Sequence, residues 1–197
     1  MATYQCSDIV NLFRFINLEV NINLFFQKTI IFIFVANIIF IPGYSYGEDR
    51  DYFPPEVTSD QLAVFKQLFS QADKFELTEN EGIFYYRAKT DSELLGYIFL
   101  GCEKGFVNEI ITYTGIDISG ICQGLIIFRH QETPRYFNLI IENNFADKFL
   151  EVDIDKIDIE SRSLDEYEID VITGATSSSA AIIENFWEAV EQFISIP

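Results

Sequence analysis

The stretch that decides the fold is DVITGATSSS, residues 170–179. Residues 180–194 after it repeat apolar side chains at helical spacing, and residues 167–169 before it have the composition of a strand. Small and hydroxyl-bearing residues therefore stand at the start of a helix, where the first N–H groups lack partners and the helix dipole adds partial positive charge. Gly174 and Ala175 leave the backbone accessible, and Thr176 adds a hydroxyl. This arrangement suits a phosphate group.

The chain upstream of this stretch predicts a sheet with consecutive short connections. Four segments rich in Ile, Phe, Tyr and Val cover residues 82–88, 94–101, 106–117 and 122–130. Their turns have hairpin length, which indicates an antiparallel meander. We also expect a helix over 60–72 with Ser59 as its N-cap, one or two short helices within 136–150, and an edge strand at 152–155. The predicted fold class is α+β, one domain with an antiparallel sheet flanked by helices.

The charge of the chain restricts its partners. It has 197 residues, 49% of them hydrophobic, and a formal net charge of −18. Residues 1–47 contain two acidic and two basic side chains, so the whole excess lies on residues 48–197. An acidic surface argues against nucleic acid and against anionic lipid, and it favours basic partners such as some electron-transfer proteins.

The N-terminal region has the pattern of an export signal. Lys28 precedes an apolar run over residues 29–41, and Ser45-Tyr46-Gly47 is a small-x-small cleavage site. Two interpretations stay open: a cleaved signal peptide, or an uncleaved anchor, since residues 29–47 are uncharged. We therefore predict a signal peptide or anchor over 1–47, a linker over 48–58 and a folded domain over 59–197. The domain is expected in the periplasm or on the outer face of the cytoplasmic membrane.

Cysteine and histidine are too sparse for most metal sites. The cysteines are Cys6, Cys102 and Cys122, without a Cys-x-x-Cys motif, which argues against iron–sulfur and zinc centres. Cys102 and Cys122 either pair outside the cytosol or are small buried side chains on strands. The acidic run at 152–155 lacks the glycine and terminal glutamate of a calcium loop, so we predict no metal.

Residues 170–176 resemble the flavinylation signature Asp-x-x-Thr-Gly-Ala-Thr of the FMN-binding domain family. That family includes the covalently flavinylated subunits of the sodium-pumping NADH:quinone reductase and of the related Rnf-type complex. The resemblance implies that Thr176 carries FMN through a phosphoester bond, attached from FAD by a dedicated flavin transferase with Mg²⁺. The other cofactor-binding residues expected in this stretch are Asp170, Thr173, Gly174, Ala175 and Ser177. From the residues alone, it remains open that 173–178 only cap a helix.

A second region is similar to the same family. Residues 105–117 and 120–127 resemble its strand, turn and following strand, and His130-Gln131-Glu132-Thr133-Pro134 is similar to its His-x-Glu-Thr-Pro-Gly segment. That segment implies that His130, Glu132 and Thr133 lie near the flavin ring, where polar groups can shift its redox potential. The alternative is an ordinary turn with solvated polar residues.

The chain departs from this segment at Arg135, where the family usually has glycine. Arginine does not share the conformational freedom of glycine, so the local turn or the ring contact must differ. Either Arg135 points toward the flavin and favours an anionic reduced form, or it pairs with the acidic surface.

The predicted function is an exported flavoprotein electron carrier with covalent FMN, an electron-transfer component rather than a stand-alone enzyme. Its expected partners are the flavin transferase and redox proteins, among them a membrane electron-transfer complex. Two alternatives stay open. One is a flavin-dependent reductase of a small acceptor, for which Glu132, His130 and Arg135 are the candidate acid–base groups. The other is a flavin-free binding module that keeps the fold.

Overall fold

The computed structural model describes residues 56–197. The predicted signal peptide or anchor and almost all of the predicted linker lie outside the described residues. Between residues 56 and 197, none of the helices combines the length and the apolar composition that a membrane crossing requires.

The described chain is a five-stranded antiparallel meander with three α-helices. In chain order the elements are α1 Ser59–Leu68, β1 Lys74–Asn80, β2 Ile83–Lys89, β3 Leu94–Lys104, β4 Glu109–Asp117, β5 Cys122–Arg129, α2 Pro134–Glu142 and α3 Thr176–Ser195. Two 3₁₀ helices, Phe145–Phe149 and Asp165–Tyr167, lie between α2 and α3. The strands pair in sequence order. The predicted α+β class and the short helices within 136–150 are confirmed.

Alternate residues of a strand point to opposite faces of the sheet, and a helix packs on each face. On one face, Phe65 of α1 packs against Tyr86 and Tyr113, with ring centroids 4.7 and 5.0 Å apart. On the other face lies α3. This helix approaches β3 so closely that a Cβ added at Gly101 would lie 2.5 Å from the Cβ of Asn185. The long final helix is thereby held in place along its length.

The first helix begins one residue earlier than predicted. Thr58, not Ser59, is its N-cap, and the Thr58 hydroxyl accepts a hydrogen bond from the N–H of Gln61 at 3.2 Å. Gln61 is buried, and its amide is satisfied there because it donates a hydrogen bond to the Tyr113 hydroxyl at 2.7 Å. Leu62 is 43% exposed, although its helical spacing from Phe65 and Phe69 favours the buried face. The helix ends at Leu68 rather than at residue 72.

Three further predictions of local structure are wrong. The strand β1 was not predicted, because its sequence KFELTEN is polar, as is usual for an edge strand. Residues 152–155 form turns with one isolated bridge, between Ile121 and Asp153. Apolar and acidic residues alternate here because Val152 and Ile154 are buried, not because the segment pairs as a strand. Residues 167–169 are not a strand, because Tyr167 ends the second 3₁₀ helix and its C-cap Glu168 has a φ of +52°.

Cys122 at the start of β5 is a buried free thiol, so it does not pair with Cys102. Burial raises the pKa of the Cys122 thiol to about 12. Of the two interpretations, the small buried side chain is confirmed for Cys122. Within residues 56–197 there is no group of three or more His, Cys, Asp or Glu side chains placed to hold a metal ion.

Candidate functional site

The signature stretch leads into α3 as predicted. The helix begins at Thr176 and runs for 20 residues, and its N-cap is Ala175. Within the described chain, no side chain caps this helix and no acidic residue lies in its first turn. The N–H groups of that turn therefore lack the side-chain acceptor that most helix starts provide. Their partial positive charge is available to an external anion.

Gly174 shapes the loop before the helix. Its φ is +89°, a conformation that residues with a side chain rarely adopt. A Cβ at this position would also lie 3.1 Å from Cδ1 of Leu139 on α2. Ala175 is buried. The glycine is therefore required both by the turn and by the close packing of α2.

The buried hydroxyl of Ser179 holds the loop against the helix. It accepts a hydrogen bond from the N–H of Ile172 at 2.9 Å. It also lies within donating distance of the carbonyl oxygens of Ala175, at 2.9 Å, and of Thr176, at 3.2 Å. The role of Ser179 was not predicted from the sequence, where the run of three serines is the available signal.

Three hydroxyls of the stretch face solvent, those of Thr173, Thr176 and Ser177. The Thr176 hydroxyl makes a long hydrogen bond of 3.4 Å to the carbonyl oxygen of Ile172. Asp170 is also exposed, and its carboxylate accepts a hydrogen bond from the N–H of Val171. Thr176 is therefore accessible to another protein at the start of α3.

Glu132 lies beside this helix start. It is 5% exposed, and its carboxylate accepts a hydrogen bond from the Ser178 hydroxyl at 2.5 Å. The N–H groups of residues 106–108, in the β3–β4 loop, donate to the same carboxylate. Burial raises the pKa of Glu132, but the hydrogen bonds from Ser178 and the loop lower it below its ordinary value. The alternative of a solvated turn residue is therefore wrong for Glu132.

The other candidates around Glu132 are exposed. The His130 ring stacks on Phe137 with centroids 3.5 Å apart. Partial burial lowers the pKa of His130 below its ordinary value, and the Glu132 carboxylate raises it less. Thr133 is the N-cap of α2, without a side-chain hydrogen bond, and Arg135 lies in the first turn of that helix. The structure thus gathers these residues where β5 leads into α2.

Two exposed aromatic rings lie at the same corner. Phe106 is 64% exposed and Tyr136 is 40% exposed, and their ring centroids are 5.9 Å apart. The N–H of Phe106 and the hydroxyl of Ser178 both donate to Oε2 of Glu132, so this aromatic pair is close to the start of α3. Such rings offer a surface for a planar heterocycle. An uncapped helix start, an exposed hydroxyl and exposed aromatic rings together fit the phosphate and the ring of FMN.

Residues 105–191 match the family model of the FMN-binding domain. The match supports an FMN-binding domain over this part of the chain. The resemblance inferred from the sequence is confirmed. This FMN-binding domain contains Glu132, Thr176 and both aromatic rings, together with β4, β5, α2 and most of α3. Helix α1 and strands β1–β3 precede the matched range, and these three strands complete the sheet.

The chain is also similar to one of the subunits of the proton-translocating ferredoxin:NAD(+) oxidoreductase complex from Clostridium ljungdahlii. The two sequences are 25% identical over 137 residues, which cover 70% of this chain and 72% of the relative. The similarity therefore extends beyond the matched domain into the region of the first strands.

Proposed function

We propose that this protein is an exported flavoprotein electron carrier whose FMN is joined to Thr176 by a phosphoester bond. The observation that carries this proposal is the exposed Thr176 hydroxyl at the uncapped start of α3, inside an FMN-binding domain. The residues on the surface around it, Thr173 and Ser177, add hydroxyls that can donate to phosphate oxygens.

The attachment step balances without any redox change. The Thr176 oxygen forms a bond to the phosphorus of the FMN half of FAD, and the pyrophosphate P–O bond breaks. AMP leaves, and the hydroxyl proton passes to a base or to water. The resemblance to flavinylated proteins assigns this step to a separate flavin transferase with Mg²⁺. An exposed hydroxyl is the arrangement that a second protein requires for access.

The residues of the chain then orient the cofactor. The N–H groups in the first turn of α3 would hold the phosphate, since helix starts commonly bind anions. The exposed rings of Phe106 and Tyr136 lie where an isoalloxazine ring can pack. When bound, FMN supplies one- and two-electron transfer, and the protein supplies attachment, orientation and tuning of the potential.

We also propose that electrons pass to and from protein partners, and the similarity to a subunit of an oxidoreductase complex supports this. We propose redox partners in a membrane electron-transfer complex, with the domain over 59–197 in the periplasm or on the outer face of the membrane. A covalent bond has a physical purpose there, since a dissociable FMN would be lost by dilution. Arg135, exposed in the first turn of α2, is the side chain that we propose favours an anionic reduced flavin.

The attachment is tested by co-expression with a flavin transferase and a denaturing gel viewed under ultraviolet light. We expect fluorescence that survives denaturation in the wild type and disappears in Thr176→Ala. Thr176→Ser, which keeps a hydroxyl at the same position, is the matched comparison. Intact-mass analysis of the wild type should show a single added FMN phosphoester, and an unmodified polypeptide would overturn the proposal.

A further inference from the structure

We propose that Glu132 and Ser178 form a buried clamp that positions Thr176 relative to the aromatic pair Phe106 and Tyr136. The inference rests on the proposed function. It assigns the two side chains a positioning role and no part in the bond-forming step of attachment. It concerns side chains that are not exposed and therefore act through the residues that they hold.

The clamp is a carboxylate surrounded by donors. Oε1 of Glu132 accepts from the N–H of Val107 at 2.8 Å and of Asn108 at 3.3 Å. Oε2 accepts from the N–H of Phe106 at 3.1 Å and from the Ser178 hydroxyl at 2.5 Å. Successive backbone N–H groups that converge on one anion form a typical anion-binding loop. Here the anion is a side chain of the protein.

The carboxylate and the hydroxyl are closely surrounded by other atoms. Glu132 is 5% exposed and Ser178 is 1% exposed. A Cβ added at Gly105, just before the loop, would lie 2.7 Å from Oε1 of Glu132. Both carboxylate oxygens already have two donors each, so Glu132 acts as a positioning residue rather than through direct contact with a ligand.

The clamp joins three segments that are far apart in sequence. Ser178 lies in the first turn of α3, two residues after Thr176. The β3–β4 loop carries Phe106, whose ring contacts Tyr136 in the first turn of α2. One carboxylate therefore links the start of α3, next to Thr176, to the loop that carries Phe106.

The chemistry requires a carboxylate rather than an amide. Every partner of the Glu132 carboxylate is a donor, so the NH₂ group of a glutamine would face at least one N–H of the loop. Hydrogen bonds to an ionised acceptor are also stronger than those to a neutral one. Glu132→Gln keeps the size of the side chain but loses both properties.

The first experiment uses hydrogen exchange of the unmodified protein. In Ser178→Ala we expect the amides of residues 106–108 to exchange about tenfold faster than in the wild type, because their acceptor is no longer held by α3. Ser195→Ala, an exposed serine near the other end of α3, is the matched control and should leave these amides unchanged. Unchanged exchange in Ser178→Ala would overturn the clamp.

The second experiment measures the rate of flavin attachment and the fluorescence anisotropy of the attached flavin. In Glu132→Gln we expect attachment to slow about tenfold and the anisotropy to fall, as the ring loses its fixed distance to the aromatic pair. Glu142→Gln, an exposed glutamate at the end of α2, is the control. The double variant Glu132→Gln/Ser178→Ala should be no slower than Glu132→Gln alone, because both changes break one unit.

The outcomes separate the two proposals. A wild type that acquires no flavin overturns the proposed function and with it the role of the clamp in attachment. A wild type that acquires flavin, with equal rate and anisotropy in Glu132→Gln, overturns only the clamp. Additive effects in the double variant would also contradict it, since they indicate two independent structural losses.

Discussion

Gly174 and Leu139 lie in close contact, so that a Cβ added at Gly174 would come within 3.1 Å of Cδ1 of Leu139. This contact packs α2 against the loop that precedes Thr176. Two separate requirements therefore converge at Gly174, a φ of +89° and a lack of space.

Gly174→Ala should destabilise the protein by about 1–3 kcal/mol, mainly through backbone strain. Gly120→Ala is the matched control, because Gly120 has a φ of +81° but its added Cβ would meet no atom closer than 3.8 Å. We expect the larger loss of stability at Gly174. When Leu139 is also replaced by Ala, the Gly174→Ala change should cost less stability, because its added Cβ no longer meets the Leu139 side chain. Urea unfolding measures each difference, and equal losses at the two glycines would show that the Leu139 contact contributes nothing.

Ser179→Ala should loosen the signature loop, because the N–H of Ile172 loses its acceptor. Loss of a buried hydrogen-bond partner costs about 1–3 kcal/mol. The change is measured by thermal unfolding and by hydrogen exchange of the Ile172 amide. Ser195→Ala on the same helix removes an exposed hydroxyl and should change stability by less than about 0.5 kcal/mol. Similar losses in the two variants would contradict the role of Ser179.

The stability of the protein should depend on the ionisation of Glu132. Its pKa in the folded protein lies below the ordinary value of 4.5, because hydrogen bonds to the carboxylate outweigh the effect of burial. The unfolded chain therefore binds the proton more readily, and the stabilisation is present above pH 4.5 and lost as the pH falls through the folded value.

This dependence is measured by urea unfolding between neutral and acidic pH. Glu132→Gln should be less stable than the wild type at pH 7, and the difference should narrow as the pH falls. Because the other acidic residues are the same in both proteins, the difference isolates Glu132. A difference that stays constant with pH would show that the glutamate acts through its shape rather than its charge.

Thr58→Ala should destabilise α1 by about 0.5–2 kcal/mol, the usual loss for an N-cap. The Thr58 hydroxyl accepts from the N–H of Gln61, and Gln61 in turn reaches the N–H of Thr58 at 3.0 Å. Ser59→Ala changes the neighbouring hydroxyl, which the sequence analysis took as the cap. It should have an effect below about 0.5 kcal/mol. The reverse order of the two losses would contradict the position of the cap.

The sequence by itself determined the features that depend on neighbouring residues. Runs rich in Ile, Phe, Tyr and Val between short turns predicted four of the five strands, and helical spacing predicted α3 and its start. The signature stretch placed small residues and hydroxyls at that start. Each of these features depends on local geometry, which the order of residues specifies directly.

Only the tertiary structure decided the partners of Glu132. Its donors are 24 to 26 residues away in the loop and 46 residues away at Ser178. Similarly, Gln61 is buried because Tyr113 lies 52 residues further along the chain. A polar side chain is stable inside a protein only when distant groups satisfy it, and folding alone brings those groups together. The sequence thus predicted Thr176 as the attachment residue, and the fold brought together Glu132 and Ser178, which we propose position it.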